Sequence, residues 1–362
     1  MLKTPNEWRE RLRRFAADEC RGLSRLYEVV SLGMADDAEL VEWLASVAGP
    51  RADPTTVLAA VHDRLLADAD DGGLKAFYPN LTKSAESPPD GAYPAFRAFV
   101  IAQRDALASH LAVRTTQTNE VNRCSYLLPA FVFAAARARR PLAIIDVGAS
   151  AGLNLLFDRY GYDYGDGVRA GDPASAVRVT TQLRGARPPT TPMPAIADRI
   201  GIDLSPVASD DVDAMRWLEA CVWPEHVERF ARLRAALAVA RAAKPRVEPG
   251  NAVELLPALI ARVDPNAAIV VVNTNVMVYF SKDECVEYGR VLRHAATTRE
   301  LVWIANEHPA FLRRGGFARR IDPPSDPASL PLAITHYRDG ERDEYVVADV
   351  GPHGRWLNWF AQ

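Results

Sequence analysis

The feature that most constrains this chain is the stretch Ile144-Ile145-Asp146-Val147-Gly148-Ala149-Ser150-Ala151-Gly152-Leu153-Asn154-Leu155-Leu156. An apolar run bounded by small residues reads as a short buried strand of a parallel sheet. The small residues then open a tight loop, and Leu153, Leu155, Leu156 and Tyr160 begin a pattern that suits a helix. Strand, glycine loop and helix N-terminus form the unit with which α/β proteins hold nucleotide-like ligands, because free backbone N–H groups point into the crevice there.

Three ligand or catalytic readings compete for this stretch. A nicotinamide or flavin fingerprint needs G-x-G-x-x-G, but Ser150 stands where the middle glycine belongs, so close approach of a pyrophosphate is not prepared. Gly148-Ala149-Ser150-Ala151-Gly152 satisfies the G-x-S-x-G of a nucleophile elbow literally. The stretch also fits the first motif of a class I S-adenosylmethionine methyltransferase, apolar-apolar-(Asp/Glu)-x-Gly-x-x-x-Gly. Asp146 has a place only in this third reading. An ordinary strand–helix turn, whose glycines merely permit positive φ, is the bland alternative.

The rest of the chain supplies the context. Its 362 residues allow one large or two modest domains, and a formal net charge of -3 gives no general reason to expect nucleic acid. Cys20, Cys124, Cys221 and Cys285 are scattered without a C-x-x-C, a pattern poor for zinc or a disulfide scaffold and suited to a reducing cytoplasm. Residues 1–14 lack an apolar h-region and no run approaches the length of a membrane span, so a cytoplasmic protein without a membrane or metal partner is expected.

Residues 1–140 read as helical. Trp8, Leu12 and Phe15 recur at helical spacing, as do Leu40, Trp43 and Leu44, then Val57, Val61, Leu65 and Leu66. Helices ahead of the first strand argue against the elbow, which normally follows several strands, and suit the methyltransferase reading. The segment Thr115-Thr116-Gln117-Thr118-Asn119-Glu120-Val121-Asn122-Arg123 is dense in hydrogen-bonding side chains just before an apolar helix, Tyr126 to Ala136. Thr118 or Asn119 would serve as a helix cap, but the surplus also marks Gln117 and Asn119 as lining a ligand site.

Residues 141–362 read as an α/β domain, with an insertion around 166–198 in which Val177 to Thr180 alternates like a strand. Ile200-Gly201-Ile202-Asp203 ends a second strand in a carboxylate, where an acid can accept from both hydroxyls of a ribose, although Asp203 lies further on than the usual ~20 residues. Pro224 divides an amphipathic helical region, whose Trp217 and Trp223 read as core. Asn251 precedes another helix, either as its cap or against an adenine edge. The run 267–280 is interrupted by Asn273, Thr274 and Asn275 where open sheets bind ligands, and the strand at 301–305 repeats the design with Asn306, Glu307 and His308. Two final strands joined by Asp339-Gly340 read as an antiparallel hairpin.

Gln117 to Val121, the loop Gly148 to Asn154 with Asp158-Arg159-Tyr160, Gly201 to Pro206, Ala220 to Glu225 and Pro352-His353-Gly354 together resemble the uncharacterised bacterial family labelled domain of unknown function 2332. The likeness runs from near the N-terminus to Trp359. It implies a Rossmann-like class I methyltransferase sheet, mostly parallel with a terminal antiparallel hairpin, behind a helical N-terminal region. No reaction carries over with the family.

The expected ligand is therefore S-adenosylmethionine, held by Asp146, Gly148, Ala149, Ser150, Gly152, Asn154, Asp203, Asn251 and Asn273, with Gln117, Asn119, Asn275 and Tyr279 lining the substrate side. Methyl transfer needs alignment, plus a base if the acceptor carries a proton; Glu307, His308 and His353 are the candidates. A serine hydrolase built on Ser150, His353 and Asp322 or Asp349 keeps the right chain order, and a non-catalytic cofactor-binding protein would use the same loop.

Overall fold

The computed structural model describes residues 2–82, 87–324 and 326–360. Contacts divide the chain into two units, Met1–Thr118 with Asp211–Arg234, and Asn119–Asp210 with Ala235–Gln362. The first is helical, with helices Pro5–Phe15, Arg25–Asp36, Ala38–Val47, Pro54–Leu66, Ala92–Ala102, Arg104–Val113 and Val212–Ala220. The spacing of Trp8, Leu12 and Phe15 puts all three into one core with Leu40, Val57, Val61 and Trp217. Asp53 and Pro54 start their helix as a capping box with proline in its first turn. Trp217 stacks on His110 and donates its indole N–H to Thr115 O at 3.0 Å, so it is core.

The second unit is α/β. Its strands are β1 (Leu142–Val147), β2 (Gly161–Asp163), β3 (Arg169–Gly171), β4 (Arg178–Thr180), β5 (Gln182–Leu183), β6 (Ile196–Asp203), β7 (Val247–Pro249), β8 (Ala268–Thr274), β9 (Leu301–Asn306), β10 (Leu330–Arg338), β11 (Glu341–Val350) and β12 (Trp356–Trp359). Nine of them form one sheet in the order β5-β12-β11-β10-β9-β8-β1-β6-β7. The segment from β7 to β9 is parallel throughout, and β10 to β12 follow as an antiparallel meander. Chain order thus runs outward from β1 on one side and resumes at β8 on the other. The turn between β10 and β11 uses Asp339 (φ 54) and Gly340 (φ 82), the two left-handed residues that a tight hairpin requires.

Alternation decides which side chains share a face. Ala143, Ile145 and Val147 of β1, Ile269 and Val271 of β8 and Leu301, Trp303 and Ala305 of β9 belong to one core with Leu256, Ile260, Tyr288 and Leu292 from helices Ala252–Arg262 and Lys282–Ala295. Asp146 pairs in register with Val272, and Val147 with Asn273, so Asp146 and Asn273 point to opposite faces.

Two sequence expectations are corrected. Residues 119–140, read as part of the helical region, belong to the α/β unit, because helix Cys124–Ala138 contacts β4, β10 and the segment after the glycine loop. That segment, Leu153–Arg159, is a 3-10 helix with a kink at Leu156 and not an α-helix. Its short dipole offers an anion much less than the full helix N-terminus anticipated. The insertion carries β3 and β4, which pair with β2 in a small separate sheet, and β5, which extends the main sheet beside β12. No helix among the described residues is long and apolar enough to cross a membrane.

The sheet and the glycine loop meet at Gly201 of β6, where an added Cβ would lie 2.5 Å from Ala149 Cβ. Gly201→Ala should therefore destabilise the protein by about 1–3 kcal/mol through overpacking alone, read as a lower midpoint in a urea titration. An unchanged midpoint would mean that the loop does not rest on β6 this tightly.

Candidate functional site

The carboxyl end of β1 delivers Asp146 and then a turn with three left-handed residues, Gly148 (φ 78), Ser150 (φ 53) and Gly152 (φ 68). A Cβ on Gly148 would run into the side chain of Val276, and one on Gly152 would come within 2.9 Å of Pro245 Cβ. These glycines therefore serve the protein's own packing as well as the turn. Gly148 and Ala149 donate N–H to Ile202 O at 2.8 and 3.1 Å, while Ser150 N–H goes to Asp203 Oδ2 at 2.8 Å. The other oxygen of Asp203 accepts from Ser205 N at 2.8 Å. Asp203 sits half-buried at the tip of β6, and each of its oxygens keeps a lone pair.

Three polar atoms around this turn are buried with no hydrogen-bond partner among the described residues: Asp146 Oδ2, Ser150 Oγ and Asn119 Oδ1. Asn119 is tied to the loop by its amide, which donates to Ala149 O at 3.2 Å, so its unpartnered oxygen belongs to the same place. The segment that looked like a helix cap is thus spent differently. Glu120 caps the short 3-10 turn Val121–Arg123, and Asn119 reaches the glycine loop. Leaving a buried acceptor unmet costs about 1–3 kcal/mol, which makes a cluster of them unusual outside a site that a ligand completes.

Burial pushes the Asp146 carboxyl up to about 7; nearby Arg123 pulls it down and Asp203 pushes it further up. Arg123 was missed as a site residue. It donates to Thr274 O at 2.9 Å and Thr274 Oγ1 at 3.0 Å, and its charge also favours ionised Glu307. Two acids at the ends of buried strands need a cation nearby, and Arg123 closes the polar segment before the helix. That was the signal available in the sequence. Asn122 was missed too. Its side chain accepts from Thr180 N at 3.1 Å and donates to Thr180 O at 2.9 Å and Gly354 O at 3.0 Å, fixing β4 and the C-terminal turn against this segment.

On the opposite face Asn273, Glu307, Trp303 and Tyr288 bond to one another. Asn273 Nδ2 donates to Glu307 Oε1 at 2.9 Å, and Asn273 Oδ1 accepts from Trp303 Nε1 at 2.7 Å and Tyr288 Oη at 3.1 Å. Glu307 Oε1 also accepts from Val276 N at 2.7 Å and Met277 N at 3.3 Å. Burial raises the Glu307 carboxyl above its ordinary range, partly offset by those N–H groups, the Asn273 amide and Arg123. This network anchors the turn after β8 and so seats Val276 over Gly148. Strand parity, invisible in a list of polar residues, places Asn273 here and not beside Asp146.

The remaining candidates are dispersed. Asn251 accepts from Val253 N at 2.8 Å as an N-cap and donates to Glu284 Oε1 at 3.0 Å, while Asn154, buried, accepts from the Cys124 thiol at 3.5 Å. His308 caps helix Pro309–Arg314 by accepting from Ala310 N at 3.2 Å. Asn275 (φ 54) and Tyr279 are exposed on the turn after β8, and His353 (φ 56) is exposed on the turn that Asn122 holds. Gln117 belongs to the helical unit, where its backbone lies beside Cys221. Among the described residues no group of three or more His, Cys, Asp or Glu is placed to hold a metal ion.

Residues 9–359 match the model of a family described as "Uncharacterized protein conserved in bacteria (DUF2332)". The chain belongs to that family. No curated protein matches it. The description of DUF2332 names no reaction, so chemistry has to be argued from the residues.

The Asp146 carboxyl gives a pH test. In the unfolded chain it ionises near its ordinary value of 3.8, but in the folded protein it holds its proton to about 7. Between these values the folded state binds the extra proton, so stability falls as pH rises through the window, and the penalty is complete above it. Asp146→Asn lacks that penalty. Its stability relative to the parent should rise by about 1.4 kcal/mol per pH unit across the window and then level off. A difference that does not change between about pH 5 and 7 would contradict the burial argument.

Proposed function

We propose that this chain binds S-adenosylmethionine at the carboxyl ends of β1 and β6 and is a methyltransferase with a Rossmann-like class I sheet. The observation that carries the reading is the cluster of unmet buried atoms Asp146 Oδ2, Asn119 Oδ1 and Ser150 Oγ around the glycine turn. Asn119 Oδ1 can only accept, and so can Asp146 Oδ2 once its carboxyl has lost the proton, so they call for a donor, and a carboxylate calls for a cationic one. The ammonium of the cofactor's amino-acid end is such a group. Asp146 and Asn119 would hold it, Ser150 Oγ can serve either its ammonium or its carboxylate, and Asp203 would take the ribose hydroxyls on its free lone pairs.

Strand order supports the same reading. β7-β6-β1-β8-β9 follows the 3-2-1-4-5 order of doubly wound sheets, whose ligands lie at the switch point beside the first strand. When bound, the sulfonium supplies an electrophilic methyl group, and this chain's part is to align it and to hold any acceptor proton. Of the three base candidates, Glu307 accepts from three donors, His308 caps a helix, and His353 is an exposed residue of the C-terminal turn.

One observation favours the hydrolase reading. Ser150 is a non-glycine residue at positive φ, the strained conformation a nucleophile elbow adopts. Its Oγ is nevertheless buried and bonded to no base among the described residues, whereas a serine nucleophile needs that hydrogen bond. We rank it second.

Calorimetric titration of the purified protein with S-adenosylmethionine and S-adenosylhomocysteine tests the proposal. Binding should be micromolar and about tenfold or more weaker in Asp203→Ala. Near neutral pH it should release a proton that Asp146→Asn does not release, detected by repeating the titration in buffers of different ionisation enthalpy. Heatless titration of a folded sample, with ester turnover abolished by Ser150→Ala, would replace this reading with the hydrolase.

A further inference from the structure

A second site lies at the other end of the same sheet. A cavity of about 910 Å³ opens where the C-terminal half of helix Cys124–Ala138 faces the segment 186–195, just before the first residues of β1 and β6. Phe133, Ala136, Pro192, Met193 and Trp359 give it a largely apolar lining. Its volume falls in the range of small-molecule sites, about 300–1,000 Å³.

Its charge is one-sided. Arg137, Arg139, Arg140 and Arg187 line it, and no Asp or Glu does. Two of these cations are already engaged: the Arg137 guanidinium lies 3.5 Å from the Phe133 ring centroid, and Arg140 lies 3.9 Å from Glu300. The guanidinium groups of Arg139 and Arg187 have no acid or hydrogen-bond acceptor among the described residues. Apolar walls with two spare guanidinium groups and no competing carboxylate complement one class of ligand, an apolar body ending in an anion.

The walls are also preset. Leu142 N–H bonds Ala195 O at 2.8 Å and Ala186 N–H bonds Trp359 O at 2.8 Å, tying the segment at both ends to the sheet. Pro189, Pro192 and Pro194 fix φ along it, so a ligand would order little chain on binding. Glycine turn and cofactor chemistry play no part here, since the cavity begins at the amino ends of the strands.

We propose that this cavity is a binding site for a small amphipathic anion, a carboxylate or phosphate monoester on an apolar chain or ring, anchored by Arg139 and Arg187. The test is calorimetric titration of the full chain with decanoate, decyl phosphate, decyltrimethylammonium and acetate, below any micelle concentration. Decanoate or decyl phosphate should bind saturably at one site, and whichever binds tighter identifies the headgroup. Acetate lacks the apolar body and decyltrimethylammonium the charge, so neither should bind there. The double variant Arg139→Glu, Arg187→Glu should weaken the anion by about tenfold or more while keeping the parent's melting temperature. Ala136→Trp, on the exposed side of the helix, should block the cavity without touching a charge. Equal affinity for cation and anion, undiminished binding in both variants, or no saturable binding to a folded sample would each overturn the proposal. A dimer that dissociates in the double variant would overturn it in favour of a second copy of the chain as occupant.

Discussion

A polar group on a strand covered on both faces must find a partner or leave a buried atom unmet. That constraint organises the α/β unit. At the carboxyl ends of β8 and β9 it is met internally, because Asn273, Glu307, Tyr288 and Trp303 satisfy one another and pin the following turn. Around the carboxyl end of β1 it is not met, and Asp146, Ser150 and Asn119 keep buried atoms without a partner among the described residues. The two ends differ by one step of strand parity, and that step separates scaffold from candidate site.

The scaffold supports the site directly. Glu307 holds the backbone at Val276 and Met277, Val276 fills the space beside Gly148, and Asp203 fixes the Ser150 amide. Arg123, anchored on Thr274, is the cation whose charge acts on both buried acids. Disturbing any one of these would move the turn that carries the unmet acceptors. The opposite pole has a different logic. Its cavity is bounded by proline-rich chain and by four arginines, two of which, Arg139 and Arg187, carry guanidinium groups with no acid or acceptor among the described residues, so shape and charge are set by residues that the carboxyl-end site does not use.

Much of this was legible beforehand because the signals are local. Alternation and apolar runs gave β1, β6, β8, β9 and the β10–β11 hairpin as strands, though not the start of β6 or the end of β8, and Asp339-Gly340 gave the turn. Capping chemistry gave the helix at Pro54, and the surplus of polar side chains singled out Asn119. The errors were of two physical kinds. Leu153–Arg159 has helical spacing but folds as a 3-10 turn, and Asn273 has a ligand residue's position along its strand but the wrong face.

The sequence by itself determined the α/β class, the helical opening segment, the glycine turn after β1 and the family, because each rests on neighbours along the chain. Only the tertiary structure decided which polar residues are spent on one another and which are left over. It also assigned residues 119–140 to the sheet unit, made Arg123 the shared counter-charge, and gathered Arg139 and Arg187 around a cavity. Those outcomes depend on register, facing and burial, which bring together residues far apart in the chain and which no local pattern encodes.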